Sequence, residues 1–173
     1  LSSTQMSALS SIGLKGLTSE QLALLSTTQL RGLTPLQLDA LTTTAIDGLT
    51  TAQLAALSTT QVRSLSASGF SELSAEQVAV FSTTQLAALS TTQIRGWSAS
   101  DVADLTVTEL SALGSTQLAA LTVTAIGGLK EATLASLSTT QIKGLTGPLL
   151  AALVDTQLAA MGQTQVAALT TTA

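Results

Sequence analysis

The sequence predicts an all-α solenoid of short capped helices, each formed by one octad of the chain. Large apolar residues recur at every eighth position from Leu1 to Leu169 without insertion or deletion, and we number each octad from this residue as position 1. A second apolar series occupies position 6, from Met6 to Val166. Because one octad is too small to bury a core alone, stacked neighbours must supply it.

Each octad carries the signals of a helix start. The consensus is Leu-Ser/Thr-Thr-Thr-Gln-Leu-Ala-Ala/Gly, as in the octads that begin at Leu25, Phe81 and Leu89. The hydroxyl at position 2 and Gln at position 5 form a capping box, and the apolar residues at positions 1 and 6 form a hydrophobic staple. Five of the six cations stand at position 7, where the helix dipole favours positive charge. They are Lys15, Arg31, Arg63, Arg95 and Lys143.

A longer period pairs the octads into 16-residue repeats of two helices. Position 8 is Gly only in alternate octads, at Gly16, Gly32, Gly48, Gly96, Gly128 and Gly144. We expect this Gly to end its helix in a left-handed conformation, and the Ala-Ala that ends the other octads to permit close approach between neighbours. Acidic residues at Asp39, Glu72 and Asp104 hint at a 32-residue period, so two or four helices could complete one solenoid turn.

Two other folds compete with this prediction. In one continuous helix the apolar stripe would drift by about 80° per octad, which leaves no face to bury. A β-solenoid is the remaining alternative, because short Thr-rich repeats suit it. However, alternating spacings of five and three would place the two apolar series on opposite faces of a strand. Leu and Ala also outnumber the β-branched and aromatic residues that strands prefer.

Composition excludes most chemistry. The chain has no Cys and no His, so it lacks thiol nucleophiles, disulfides and the commonest general base. A net charge of -4 and the scarcity of aromatics argue against nucleic-acid binding. The longest apolar run, 149–154, is far shorter than the ~20 residues of a membrane span. We therefore predict that the chain is not an enzyme, has no catalytic residue, cofactor site or metal site, binds no nucleic acid and spans no membrane. A protein partner stays open.

Three groups of residues are candidates for a site. The acidic groups are Asp39 with Asp47, and Asp101 with Asp104 and Glu109. They lack the alternating oxygen ligands of a calcium loop. The aromatics Phe70, Phe81 and Trp97 lie on the apolar series and are expected to fill the core. Thr pairs at positions 3 and 4 should be exposed, and if they formed regular ladders they would suit an ice-binding surface. They are Thr27-Thr28, Thr59-Thr60, Thr83-Thr84, Thr91-Thr92 and Thr139-Thr140.

The LSTTQLAAL-type octads resemble the Thr/Gln-rich tandem arrays of very large bacterial secreted or surface proteins of the adhesin kind. The resemblance covers the whole chain and implies a spacer or stalk that lies outside the cell or on its surface. We expect residues 1–173 to form a single tandem-repeat solenoid, cut from a longer array. Its expected role is a non-catalytic structural spacer or scaffold in an exported bacterial protein. The alternatives are an ice-binding surface made of Thr ladders and a protein- or peptide-binding solenoid.

Overall fold

A computed structural model describes residues 1–169, and this part of the chain contains 21 short helices and no strand. The predicted all-α solenoid is confirmed, and the β-solenoid is excluded for these residues. The chain divides into two compact units, Leu1–Leu89 and Ser90–Ala173.

The first unit has eleven helices: α1 (Ser3–Ser7), α2 (Ser11–Leu14), α3 (Ser19–Ala23), α4 (Thr27–Arg31), α5 (Pro35–Asp39), α6 (Thr43–Asp47), α7 (Thr51–Ala56), α8 (Thr59–Ser64), α9 (Ala67–Ser71), α10 (Ala75–Val78) and α11 (Thr83–Ala87). The described part of the second unit has ten: α12 (Thr91–Arg95), α13 (Ala99–Asp104), α14 (Val107–Ala112), α15 (Ser115–Leu118), α16 (Val123–Ile126), α17 (Glu131–Ala135), α18 (Thr139–Ile142), α19 (Gly147–Ala151), α20 (Asp155–Ala159) and α21 (Gln163–Leu169). Each octad therefore forms one helix, as predicted.

Capping boxes start most of these helices. At α4 the backbone N–H of Gln29 donates to Ser26 Oγ at 3.2 Å, and the N–H of Ser26 donates to Gln29 Oε1 at 2.9 Å. Where the octad has no hydroxyl, only the second bond remains: the N–H of Gly114 donates to Gln117 Oε1 at 2.8 Å. The cap residue is extended and the next residue is helical, so only two to four residues separate one helix from the next.

The core of each unit is built from both apolar series. The residues at position 6 are fully buried from Met6 to Phe70, and those at position 1 are buried from Leu33 onward to Met161. The aromatics fill the core as expected, and the rings of Phe70 and Phe81 stack with centroids 5.6 Å apart. The two apolar series therefore face the interior, as the staple pattern predicted.

Within each unit, a helix packs against the helix three octads further along the chain. The first unit shows this between α1 and α4, α4 and α7, and α5 and α8, and the second between α13 and α16 and between α18 and α21. Side chains also reach backbone atoms 28 residues earlier, a separation of three and a half octads. A solenoid turn is thus about three and a half helices, which differs from the two or four that the sequence left open.

The predicted left-handed glycines are wrong. No described residue has a positive φ, and the helix-ending glycines Gly32, Gly48 and Gly96 have φ of -75°, -71° and -74°. Glycine is needed there because successive turns touch: a Cβ on Gly32 would lie 2.6 Å from the Cα of Ser3 in the preceding turn. The close approach that we expected at the Ala-Ala corners is found at the Gly corners.

Candidate functional site

In each unit, polar groups recur in a regular pattern between successive turns, and Gln at position 5 makes hydrogen bonds in this pattern. Gln53 lies at the N-terminal end of α7, where its Oε1 accepts from the backbone N–H of Thr50 at 2.8 Å. Its Nε2 donates to the carbonyl oxygens of Leu22 and Leu25 in the preceding turn, at 2.8 and 2.7 Å. One buried side chain therefore serves the start of its own helix and the end of another.

This amide solves a problem that short helices create. The last four carbonyl groups of a helix have no partner inside it, and in helices of four to seven residues nearly every carbonyl is of this kind. The Nε2 of Gln37 donates to the carbonyl oxygen of Met6 in α1 at 3.0 Å, and to that of Leu9, which follows α1, at 2.7 Å. The same contact, 28 residues back along the chain, is made by Gln29, Gln61, Gln77, Gln85, Gln141, Gln157 and Gln165.

The sequence pattern predicts these glutamines as helix caps only, and their second bond, to the preceding turn, is found in the structure. A signal for it exists in the choice of amino acid. Gln and Glu serve equally at this position of a capping box, yet position 5 holds Gln repeatedly and Glu only at Glu109. A carboxylate cannot donate a hydrogen bond to a carbonyl oxygen, whereas a carboxamide can. The bias toward Gln thus indicates a required donor.

Glycine at position 8 lets these surfaces approach. A Cβ would lie 2.6 Å from the Cα of Ser19 at Gly48, and 2.7 Å from the Cα of Ser115 at Gly144. In both cases the two residues are 29 positions apart, so position 8 of one octad meets position 3 of an octad one turn earlier. Gly16 belongs to the first turn, and the nearest atom to its Cβ would be the carbonyl oxygen of Gly13 at 3.5 Å.

The Thr pairs at positions 3 and 4 are exposed, as predicted.

The acidic residues weighed as calcium ligands remain solvent-facing or half-buried, and residues 1–169 contain no group of three or more carboxylates placed to hold a metal ion. One carboxylate has a shifted pKa. The backbone N–H of Glu131 and the hydroxyl of Thr156, one turn later, stabilise the ionised form and lower the pKa of Glu131 below 4.5. The hydroxyl of Thr156 comes from α20, which packs on α17.

An open groove of about 560 Å³ lies on the first unit between α2, α5 and α9. Its lining includes the exposed side chains of Ile12 and Leu36, the charged residues Lys15 and Asp39, and several hydroxyls such as that of Ser66. The groove is shallow and mixed in character, unlike the enclosed apolar pockets that hold small molecules. Within residues 1–169, no helix is long and apolar enough to cross a bilayer.

Repeated capped helices, glutamines that bond back to the preceding turn and glycines at the contacts define a tandem-repeat α-solenoid. The model of the ALTTAQ repeat family matches three overlapping stretches in the first unit, residues 25–59, 35–67 and 49–83. The third stretch begins with the letters LTTAQ at 49–53, where Gln53 is the position-5 amide described above. Searches of curated proteins and of solved structures gave no significant match.

Proposed function

We propose that this chain is a non-catalytic structural spacer or scaffold within a large exported bacterial protein. The observation that carries the proposal is the use of the recurring polar residues. In most octads after the first turn, Gln at position 5, the hydroxyl at position 2 and Gly at position 8 form helix caps or contacts between turns. A segment whose repeated features all maintain its own architecture suits extension or display better than chemistry.

The remaining surface supports the same proposal. The exposed residues of 1–169 are mainly Ser, Thr and Ala with few charges, and their residue types change little from one octad to the next. The Thr/Gln-rich octads resemble the arrays of secreted and surface proteins, and the absence of Cys is compatible with life outside the cell. Export and the extracellular or cell-surface location are part of the proposal.

A replacement experiment separates a spacer from a specific binding surface. In the parent protein, the segment is exchanged for the same number of consensus octads, alternating LSTTQLAA and LSTTQIRG. The exchange keeps the core, the caps, Gln at position 5 and Gly at position 8, but it erases individual surface residues such as Ile12, Leu36 and Asp39. A spacer tolerates this exchange with full activity of the parent. Loss of activity in a protein that is still folded and secreted would instead assign a specific partner to the natural surface.

Export is tested on intact cells. A protease added outside should cleave the segment, or an antibody raised against it should label the surface, without permeabilisation. A cytosolic protein of known abundance serves as the leakage control. Labelling seen only after lysis would overturn the exported location while leaving the structural role in place.

A further inference from the structure

The groove between α2, α5 and α9 lies where the regular bond between turns is interrupted. Position 5 of the octad that forms α9 is Gly69, which has no side chain to donate. In the following octad, the Nε2 of Gln77 donates to the carbonyl oxygen of Leu49, 28 residues earlier, at 2.8 Å. The corresponding carbonyl for Gly69 is that of Leu41, which lines the groove and accepts no hydrogen bond from any residue in 1–169. The groove therefore holds a backbone acceptor that is paired with an amide in neighbouring octads.

The cap hydroxyl of α9 supplies a donor beside this acceptor. Ser66 lines the groove, and its Oγ accepts from the backbone N–H of Gly69 at 3.1 Å. In the octad of α11, the equivalent hydroxyl of Ser82 donates to Oε1 of Gln85 at 2.9 Å. Ser66 instead lies 3.5 Å from the Oγ of Ser68, because Gly69 offers it no acceptor. A donor and an acceptor that elsewhere bind one carboxamide thus both lie on this groove.

The groove also has an aliphatic rim that departs from the repeat pattern. Position 4 is most often Thr, and Ile12 and Leu36 are the only branched aliphatic residues that occupy it. Both line this groove, where their side chains are 82% and 71% exposed. Leu36 is exposed even though its helix, α5, packs against both α2 and α8. Substitutions at two different octad positions therefore meet at one place on the surface.

We propose that this groove docks a segment of a partner protein that presents a Gln side chain beside a large apolar residue. The amide of that Gln donates to the carbonyl oxygen of Leu41 and accepts from the hydroxyl of Ser66, as the chain's own glutamines do in neighbouring octads. The apolar residue of the partner covers Leu36 and Ile12, which removes their surface from water.

The charge and shape of the groove favour this kind of ligand. Lys15 and Asp39 both line it, so their opposite charges give no net preference for an anion or a cation. The groove is open, which suits a polypeptide segment better than a small molecule that needs an enclosed pocket. Docking of this kind goes beyond the spacer role and is measured by binding rather than by the activity of the parent protein.

The test is an NMR titration of the 15N-labelled 173-residue chain with a capped octapeptide, acetyl-LSTTQLAA-amide. The peptide is raised to about 10 mM, because one carboxamide and one apolar contact give weak affinity. The backbone resonances of Ser66 and Ser68 should shift and saturate. The matched peptide LSTTMLAA keeps the length and neutrality of the side chain but cannot donate, and it should bind about fivefold more weakly.

Variants of the chain test the two halves of the site separately. Leu36→Thr restores the usual residue of position 4 and should weaken binding of the Gln peptide by about fivefold. Val107→Thr, at an exposed residue of α14 in the second unit, is the control and should leave the affinity unchanged.

A second pair of variants closes the site from within. A Cβ on Gly69 would collide with Cδ1 of Ile46, so Gly69→Gln is combined with Ile46→Val. The combination places an internal amide on the Leu41 carbonyl and should abolish peptide binding, whereas Ile46→Val alone should bind like the unaltered chain.

The other outcomes overturn the proposal. Absence of saturable shifts, or shifts centred away from α5 and α9, would show that the groove does not hold the peptide. Equal binding of the Gln and Met peptides would show that the carbonyl of Leu41 is not recognised, as would undiminished binding to the doubly substituted chain. Far-UV circular dichroism checks the fold of each variant. If the doubly substituted chain is unfolded, the two peptides and Leu36→Thr still decide the question.

Discussion

The bond between turns can be removed by changing one atom of one side chain, in Gln53→Glu. The carboxylate still accepts from the N–H of Thr50, so the helix cap is kept. It cannot donate to the carbonyl oxygens of Leu22 and Leu25, which now face a negative charge at the 2.8 and 2.7 Å positions of the former Nε2. The carbonyl oxygen of Leu22 keeps the backbone N–H of Leu25 at 3.1 Å, whereas that of Leu25 is left without a donor, which costs about 1–3 kcal/mol.

The loss at Leu25 gives a decrease in unfolding free energy of about 1–3 kcal/mol at neutral pH, to which burial of the charge adds. Burial beside carbonyl oxygens raises the pKa of the introduced carboxyl in the folded state. The destabilisation is then fully present above that raised pKa and diminishes as the pH falls through it toward the unfolded value, because a protonated Glu can donate again.

Urea unfolding followed by circular dichroism measures the effect at pH 7 and at pH 5. Gln5→Glu is the matched control: it has the same octad position and the same capping bond, at 2.8 Å, but its Nε2 reaches no carbonyl among residues 1–169. It should change the unfolding free energy by under about 0.5 kcal/mol. Equal effects of the two substitutions would show that position 5 serves only the cap and would refute the bond between turns as its main role.

Three further predictions concern a glycine contact, a helix cap and the carboxylate of Glu131. Gly48→Ala should destabilise the chain by about 1–3 kcal/mol, because the new Cβ meets the preceding turn, whereas Gly16→Ala should be neutral or stabilising by up to about 1 kcal/mol in the same urea assay. Ser90→Ala removes the side-chain cap of α12, and thermal or urea unfolding should show a loss of about 1 kcal/mol. The pKa of Glu131, followed by carboxyl chemical shifts in an NMR titration, should lie below 4.5 and should rise in Thr156→Val. The small stabilisation from this carboxylate is therefore present at neutral pH and is lost as acid protonates it. An unchanged pKa in that variant would show that the hydroxyl does not bind the carboxylate.

The local features of this fold could be predicted from the sequence because they depend on residues a few positions apart. The cap at Ser26 and the return bond from Gln29 both act within three residues, and the sequence contains them as a fixed spacing. The burial of Met6 or Leu38 follows from the regular apolar series. The sequence alone therefore predicts one helix per octad and an apolar interior.

The contacts between turns could not be predicted from the sequence, because they join residues 28 to 31 positions apart and depend on the geometry of the corners. Gly48 illustrates the difficulty. Its alternate-octad spacing is visible in the sequence, but a left-handed helix end and a close contact both favour Gly. Only the φ of -71° and the position of Ser19 distinguish them. The preference for Gln over Glu at position 5 is the one feature of the sequence that indicates the hydrogen bond to the preceding turn.

The 16-residue repeat and the 28-residue register are compatible for a simple reason. A helix packs on the helix three octads away, and a step of three changes an odd octad into an even one. Hence Gly32 in the fourth octad meets Ser3 in the first, and Gly144 in the eighteenth meets Ser115 in the fifteenth. Gly48 in the sixth octad likewise meets Ser19 in the third, so a glycine of an even octad contacts an odd octad one turn earlier. Because a position-5 amide such as that of Gln53 joins two turns, the hydrogen bonds of a helix are completed only when the neighbouring turn is folded, so successive turns stabilise one another.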